Sequence, residues 1–296
     1  MISASPPRVY PGVRPFGRPL LLLAPGCLFL LAVGLAPVVV TVVMSFWKSS
    51  IMGTRVDFQF GNYARILAEP VYWQLLLKTL RTAVVTTFLC LLVSYPLAWF
   101  LNTREGKTKG LWLLAIFVPF WISYVVRTFS WLPILGLNGL VNTLLMKLGL
   151  VDAPVSWLLY NAGSTYLGLV YVYTLFMTLP IYLAMQRLDP ALLSAAADLG
   201  ARPMTILWRV VLPLTLPGVV SGGLMVFLLS ISAYVTPRLL GGTSGVMFGS
   251  IVADQFLAGN NWAFGAALAT SLMLVILLVL AAMASIGPVR RAMLSR

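Results

Sequence analysis

Histidine is absent from this chain of 296 residues, and acidic side chains are scarce, with seven Asp and Glu in total. Histidine is the commonest general base and the commonest metal ligand, and without it no ordinary Ser–His–Asp triad can be assembled. The carboxylates are scattered, with neither a metal-ligand cluster nor a close pair suited to acid–base chemistry. They are Asp57, Glu69, Glu105, Asp152, Asp189, Asp198 and Asp254. The sequence therefore predicts no catalytic site and no metal site, and the alternative of a membrane enzyme lacks its catalytic groups.

Charge and cysteine are scarce as well. Charged residues make up 9% of the chain, against 60% hydrophobic residues and a mean hydropathy of +0.96. This composition is far from that of soluble domains and is typical of a polytopic membrane protein. The net charge of +13 lies in short segments between apolar runs, which favours lipid headgroups over nucleic acid as its partner. Cys27 and Cys90 both fall inside apolar runs, so neither a disulfide framework nor a zinc site is predicted.

Six apolar runs are long enough to cross a bilayer, which predicts an all-α integral membrane fold. They cover about residues 19–46, 79–101, 111–132, 163–185, 218–235 and 263–286. The first run is too long for the h-region of a signal peptide and is interpreted as an uncleaved span. Pro96 is expected to kink the second span, and Gly222-Gly223 in the fifth is suited to close helix packing. The segment 133–160 is predicted to hold a short surface or re-entrant helix.

Lysine and arginine favour one orientation of these spans. With both termini in the cytoplasm, the inner segments hold twelve of the twenty Lys and Arg residues. These twelve are Arg8, Arg14, Arg18, Arg104, Lys107, Lys109, Arg187, Arg202, Arg209, Arg290, Arg291 and Arg296. Because cytoplasmic segments carry an excess of such residues, the tails at 1–18 and 287–296 and a loop at 187–217 are predicted to be cytoplasmic.

The loop between the fourth and fifth runs has the pattern of two short helices joined at a glycine. Asp189 is suited to cap the first helix, with Pro190 in its first turn, and Gly200 is suited to end it. A second helix is predicted from about 203 to 211, ending before Leu212-Pro213. Three alanines at 195–197 leave a surface with little side-chain bulk, which suits close approach by another protein. The alternative is an ordinary amphipathic hairpin between two spans.

The spacing within this loop resembles the cytoplasmic EAA loop of ABC importer permeases. Residues 195–200 have the pattern Ala-Ala-x-x-x-Gly, and after nine further residues 210–213 have the pattern Val-x-Leu-Pro. In that family the loop docks into the ATPase subunit, which implies a coupling role here. Ser194 stands where the family usually has Glu, which puts an ionic contact at this position in doubt. The coupling residues implied are Ser194, Ala195, Ala196, Asp198, Leu199, Gly200, Ala201, Arg202, Leu212 and Pro213.

Three more stretches resemble spermidine/putrescine permeases of the PotB/PotH type, so that the resemblance covers nearly the whole chain after the first tail. They lie at 119–142, which includes Pro-Phe-Trp and Gly-Leu-Val-Asn, at 232–242 and at 261–267. The fold implied is the six-helix, MetI-like transmembrane domain of a type I ABC importer in a bacterial inner membrane. The partners implied are two ATP-binding subunits that use ATP and Mg, a second homologous permease and an extracytoplasmic solute-binding protein. The resemblance implies no cofactor bound by this chain.

Gly106-Lys107-Thr108 contains the Gly-Lys-Thr triplet of a phosphate-binding loop. Such a loop requires a further glycine five residues before Gly106, where this chain has Leu101, and a preceding buried strand that the pattern does not predict. A basic inner loop is therefore the better interpretation. The sequence predicts no ATPase site in this chain.

Arg127 lies inside the third apolar run, near its outer end. A charge within a membrane span indicates by default a transport pathway or a pairing partner. The alternative is that Arg127 extends to the outer headgroups, with Trp131 as an interfacial anchor.

Asp254 lies between the fifth and sixth runs. If the cargo is a polyamine, a carboxylate and aromatic faces would hold its ammonium groups by ion pairing and cation–π attraction. The candidate pathway residues are therefore Trp121, Tyr124, Arg127, Tyr234 and Asp254. For each aromatic residue taken alone, packing or lipid contact is the competing explanation.

Together these patterns predict the permease subunit of an ABC importer, which forms half of the pathway for a small organic, polyamine-like solute. Separate ATPases would drive alternating access through the cytoplasmic loop. One alternative is a permease for another cargo, such as an anion, iron or another amine. The other is a secondary transporter driven by an ion gradient, which is disfavoured because no internal repeat is evident and the span interiors hold almost no carboxylates.

Overall fold

The computed structural model describes residues 17–50 and 53–285, which are helical over most of their length. The predicted tails at 1–18 and 287–296 lie outside the described residues, apart from residues 17 and 18 at the start of α1. The elements in chain order are α1 (Gly17–Met44), β1 (Lys48–Ser50), β2 (Gly53–Arg55), α2 (Gly61–Ala68), α3 (Pro70–Asn102), α4 (Gly106–Phe117), α5 (Tyr124–Phe129), α6 (Trp131–Leu135), α7 (Leu140–Lys147), α8 (Ala162–Met185), α9 (Pro190–Asp198), α10 (Pro203–Ile206), α11 (Leu212–Ile231), α12 (Val235–Gly241), α13 (Phe248–Leu257) and α14 (Trp262–Ser285). The two strands pair as an antiparallel hairpin.

Six helical stretches of the described residues are long and apolar enough to span a membrane. They are Leu23–Met44, Pro70–Asn102, Tyr124–Lys147, Ala162–Met185, Pro203–Ile231 and Trp262–Met283. The predicted all-α, six-span fold class is confirmed. The second and fifth stretches begin earlier than predicted, because Pro70 and Pro203 each start a helix that runs on into the apolar residues.

The predicted third span at 111–132 is wrong in its bounds. α4 passes into a 3-10 turn, and then Ile122 and Ser123 leave the helical conformation, with ψ of 138° and 136°. Pro119 explains the break, because it has no N–H for the carbonyl four residues earlier and its ring crowds that turn. The stretch long enough to span is Tyr124–Lys147, built from α5, α6 and α7. Its last helix, α7, is the short helix predicted within 133–160.

The core forms where α3, α8 and α11 pack together. Leu169, Met177 and Ile181 of α8 are fully buried there. A second cluster joins α3 and α11 to α2, α13 and α14, with Phe227 and Phe248 among its buried side chains. α1 packs along α14 and leaves most of its apolar side chains exposed. The three central helices therefore make the frame to which the loops and short helices are attached.

Glycines set how closely α8 and α11 approach. The predicted close packing is confirmed at Gly222, because a Cβ there would lie 3.0 Å from the Met177 carbonyl oxygen. Gly223 does not share in it, since its Cβ would have no neighbour nearer than 3.8 Å. The approach is tighter at Gly218, where a Cβ would lie 2.6 Å from the Pro180 carbonyl oxygen.

Gly218→Ala is expected to destabilise the protein by ~1–3 kcal/mol, the range for forcing an extra carbon into a packed contact. Gly223→Ala is the matched control, since the same methyl group at that position meets only ordinary van der Waals distances. Thermal unfolding of both variants in one detergent measures the difference. Equal melting temperatures would contradict the close contact at Gly218.

Candidate coupling loop and translocation pathway

The loop after α8 begins with a capped helix. Oδ1 of Asp189 accepts a hydrogen bond from the Ala191 N–H at 2.9 Å, and Pro190 is the first helical residue of α9. The carboxylate satisfies one of the backbone donors that a first turn leaves unpaired, and Pro190 has no donor to satisfy. The predicted start of the first loop helix is confirmed.

α9 ends at a glycine in the left-handed conformation. Gly200 has a φ of +78°. Its N–H donates to the Ala197 carbonyl at 2.9 Å, and the Ala201 N–H donates to the Ala196 carbonyl at 3.1 Å. These two bonds form the Schellman motif, which satisfies the last carbonyls of the helix and favours glycine at this position. The predicted stop at Gly200 is confirmed, and it sets the direction in which the chain leaves α9.

The prediction that the second loop helix ends before Leu212 is wrong. α10 passes through a π-helical turn, Leu207–Val211, directly into α11, and the Leu212 N–H donates to the Leu207 carbonyl. Pro213 explains the wider turn, because it has no N–H for the carbonyl four residues earlier and its ring needs room. The end of the loop and the core helix α11 are therefore one continuous helical stretch, Pro203–Ile231.

Large apolar side chains are exposed on this loop. Leu199 is 88% exposed, and Leu192, Met204 and Trp208 are also exposed. Grouped exposed apolar side chains mark surfaces for contact with another protein. Of the residues assigned to coupling, Ser194, Ala195, Asp198, Leu199, Gly200, Arg202 and Pro213 are exposed, and Ala196, Ala201 and Leu212 are half-buried.

A groove of about 440 Å³ lies beside α9, between the end of α8 and the start of α11. Its lining is apolar except for Arg187, Asp189 and Ser221. Leu192 of α9 and Leu214 of α11 contribute to it from opposite sides. The loop thus offers a concave site next to an exposed apolar helix, which no sequence pattern had indicated.

α12 links one predicted pathway residue to the core. The hydroxyl of Tyr124 on α5 lies 2.8 Å from the hydroxyl of Thr236 on α12, and the Thr128 hydroxyl lies 3.1 Å from the same atom. Thr128 and Thr236 are fully buried. In surroundings of low dielectric these hydrogen bonds are stronger than in water, so they hold α5 against α12.

Arg127 is buried inside the bundle, with 8% of its surface exposed. Its guanidinium lies over the Phe120 ring, 4.4 Å from the ring centroid. The Nε atom has no hydrogen-bond partner among the described residues, and no described carboxylate forms an ion pair with it. Cation–π contact stabilises the guanidinium but leaves the buried Nε donor unsatisfied. This placement differs from that of a side chain that extends to the headgroups.

Asp254 is already paired. Its carboxylate on α13 forms an ion pair with the Arg238 guanidinium on α12, with the two side chains 42% and 57% exposed. Trp121 is 85% exposed, and Tyr234, the residue before α12, is exposed as well. The five predicted pathway residues therefore do not form one cluster, although α12 contacts or adjoins most of them. The described residues contain no group of three or more metal-ligating side chains.

The family of the chain follows from its sequence. The sequence model of the family described as "Binding-protein-dependent transport system inner membrane component" matches residues 19–288. The chain belongs to this family. With six apolar helical stretches, this permease is a multi-pass inner membrane protein.

Relatives of the permease are similar over most of their length. It is 37% identical over 226 residues to the spermidine/putrescine transport system permease protein PotB of Salmonella typhimurium (strain LT2), covering 76% of this chain and 78% of the relative. The PotB protein of Escherichia coli (strain K12) is 36% identical over 226 residues, covering 76% and 82%. The inner membrane ABC transporter permease protein YdcU of Escherichia coli (strain K12) is 33% identical over 234 residues, covering 75% and 74%.

Solved structures show the same fold. A chain of a bacterial ABC transporter involved in the import of the acidic polysaccharide alginate matches with a TM-score of 0.71 at 17% identity, covering 88% of the permease and 92% of that chain. A chain of the MetNI methionine ABC transporter in an inward-facing conformation matches with a TM-score of 0.57 at 18% identity, covering 76% and 99%. The predicted fold, the transmembrane domain of an ABC importer, is confirmed.

Sequence reasoning missed Thr236 and Arg238 as partners of the pathway residues. Thr236 lies 112 positions from Tyr124, and Arg238 lies 16 positions from Asp254. No local periodicity links residues at such separations. One signal was available for Arg238, because a cation in an apolar segment predicts a nearby partner.

Proposed function

We propose that this permease forms half of the translocation pathway of an ABC importer for a small, polyamine-like solute. The observation that carries the proposal is its similarity, over about three quarters of its length, to two permeases named for spermidine and putrescine transport. The fold, which it shares with importer transmembrane domains, supports the transport part of the proposal. A second, homologous permease would supply the other half of the pathway.

Coupling is assigned to the loop 187–217, on which two separate ATP-binding subunits would dock. The exposed side chains of Leu192, Leu199 and Trp208 support this, because docking would bury them, at ~1.5–3 kcal/mol for each fully buried side chain. Ser194 has a neutral side chain that donates a hydrogen bond to the Pro190 carbonyl at 3.2 Å, so the contact at this position would not be ionic.

Movement of the loop would be transmitted through α11. Because Pro203–Ile231 is continuous, a displacement of the docked loop would shift α11 against α3 and α8. ATP binding would close the ATPase subunits and open the pathway to the outside, where a solute-binding protein releases its cargo. ATP hydrolysis would then restore the inward-facing state.

ATP and Mg would be bound by the ATPase subunits, and the permease itself would bind no cofactor. Two features support this: Leu101 stands where a phosphate-binding loop requires glycine, and the element before residues 106–108 is the helix α3, whereas such a loop follows a strand. The purified permease is therefore expected to hydrolyse no ATP above background. Hydrolysis that copurifies with the chain through several columns would contradict this.

Both termini are placed in the cytoplasm by this proposal. The exposed cations Arg187, Arg202 and Arg209 on the coupling loop support this orientation, as cytoplasmic segments are enriched in Lys and Arg. A reporter enzyme that is active only outside the cytoplasm should be silent when fused after Arg296 and active when inserted at Gly149. The reverse pattern would overturn the orientation.

Cargo contact is assigned to α12 and its neighbours. Tyr124 and Tyr234 would offer ring faces to ammonium groups, and Asp254 would offer a carboxylate. Since Asp254 is paired with Arg238, a cationic cargo must displace that guanidinium before it reaches the carboxylate. Arg127 would repel a polyamine and confine it to the Asp254 side of α12. Exposed Trp121 would meet either cargo or the second permease.

An anionic or zwitterionic amine is the second candidate cargo. The observation that favours it is Arg127, a buried residue whose Nε donor is unsatisfied and which has no described carboxylate partner. Such a group is suited to a carboxylate or phosphate on the cargo. Competition by polyamines or by carboxylates in an uptake assay separates the two candidates.

The test begins with the partners. Tagged permease purified from gently solubilised membranes is expected to carry an ATPase subunit and a second permease. In proteoliposomes with ATP, the complex is expected to accumulate labelled putrescine or spermidine only when the solute-binding protein is present. A homo-oligomer without an ATPase in several detergents, or uptake driven by an ion gradient without ATP, would overturn the importer proposal.

A further inference from the structure

A cavity of about 200 Å³ between α3 and the start of α8 has no part in the function proposed above. Its polar lining consists of Lys78, Arg81, Thr82, Thr165, Tyr166 and Ser244. Two cations and no carboxylate line it, so its positive charge is not compensated within the lining. Such a composition suits an anion.

Donors in the cavity are available for a ligand. The Lys78 ammonium donates to the Ser244 carbonyl at 2.6 Å, which leaves two of its three N–H groups. Arg81 is exposed and forms no ion pair with a described residue. Tyr166 adds a hydroxyl, and the start of α8 adds the partial positive charge of a helix N-terminus.

Both cations lie near the level of lipid headgroups. α3 has 33 residues and is therefore ~50 Å long, against ~30 Å for the hydrocarbon core of a bilayer. A centred helix extends ~10 Å beyond the hydrocarbon at each end. Lys78 and Arg81 lie ~12 and ~17 Å from Pro70 along the axis, which is ~2 and ~7 Å inside that boundary. Long cationic side chains at such depths extend to the headgroups. Ala162, the first residue of α8, lines the same cavity and lies at the same level.

Arg81 belongs to a stripe of otherwise apolar exposed side chains. Leu77, Val84 and Phe88 share its face of α3 at helical spacing, and all three are exposed. A free anion has no affinity for such a stripe. A phospholipid supplies both groups that this surface lacks, a phosphate for the cations and an acyl chain for the apolar side chains.

We propose that the cavity binds the headgroup phosphate of an anionic phospholipid such as phosphatidylglycerol. Lys78 and Arg81 donate to the phosphate oxygens, and the acyl chain lies along the stripe that continues to Phe88. Lys and Arg side chains form charge-assisted hydrogen bonds with phosphate oxygens. The proposal depends on neither the cargo nor the coupling loop.

Native mass spectrometry of the permease complex in nanodiscs tests the proposal. In phosphatidylcholine nanodiscs with graded amounts of phosphatidylglycerol, the wild type is expected to retain one phosphatidylglycerol per permease. Arg81→Gln should lower that retention roughly tenfold, the effect of losing a hydrogen bond to a charged group. Arg81→Lys should keep most of it. Arg55→Gln, at an exposed cation outside the helices, is the matched control and should leave retention unchanged.

Three outcomes would overturn the assignment. The first is equal retention of phosphatidylglycerol by the wild type and Arg81→Gln. The second is tight binding of inorganic phosphate in pure phosphatidylcholine nanodiscs with no preference for phosphatidylglycerol, which would assign the cavity to a free anion. The third is unchanged lipid retention with weakened binding of the solute-binding protein, which would assign the cations to a protein contact.

Discussion

Gly200→Val is expected to lower ATP-driven uptake by about tenfold or more while leaving membrane insertion intact. Valine at a φ of +78° costs roughly 1–2 kcal/mol or more, because its branched side chain clashes with the backbone in this region. The Schellman bonds would break and Leu199 would leave its docking position. About 1.4 kcal/mol corresponds to tenfold in an equilibrium. The measurement is uptake, and the amount of copurified ATPase, at equal permease levels.

Gly149→Val is the matched control for this experiment. Gly149 has a φ of +66°, and like Gly200 it has open space around a built Cβ, so valine acts there through the backbone alone. It follows α7, outside the coupling loop. The coupling assignment is contradicted if both variants lose uptake equally, or if Gly200→Val transports normally.

Asp254→Asn is expected to raise the KM for polyamine uptake about tenfold, because the cargo loses a charge-assisted hydrogen bond. Arg238→Gln should change KM in the opposite direction and lower it, because the variant lacks the guanidinium that competes with the cargo for the Asp254 carboxylate. Both follow from the ion pair between α12 and α13. Initial uptake rates over a range of putrescine concentrations measure both constants.

Stability separates this cargo role from a structural one. The two side chains are 42% and 57% exposed, and ion pairs in such surroundings contribute only ~0–1 kcal/mol. Neither single variant should therefore lower the melting temperature by much. If both variants raise KM alike, and the double variant restores it, the pair positions α12 and α13 and does not contact the cargo.

The coupling loop was the most predictable part of the candidate site. Its helix ends depend on local backbone chemistry. Asp189 caps the first turn of α9, Pro190 has no N–H that needs a partner there, and Gly200 adopts the positive φ that ends the helix. The continuation through Pro213 was not predictable in this way. Whether a proline ends a helix depends on whether the preceding turn can widen, and here Leu207–Val211 does so.

The pathway was the least predictable part. Residue type alone selected Tyr124, Arg127 and Asp254, but it gave no information on their neighbours. The contacts of Tyr124 with Thr236 and of Asp254 with Arg238 join separate helices, and no period of 3.6 residues encodes them.

By itself the sequence determined the number of spans, the ends of α9 and, through its motifs, the family. It also excluded any site that requires a histidine as general base or metal ligand. These follow from the length of apolar runs and from local backbone chemistry, which do not depend on distant residues. Only the tertiary structure decided that Arg127 is buried with no carboxylate partner among the described residues, that Asp254 is paired, and that Lys78 and Arg81 share one cavity. Burial and pairing are properties of several helices packed together, so they exist only once the chain has folded.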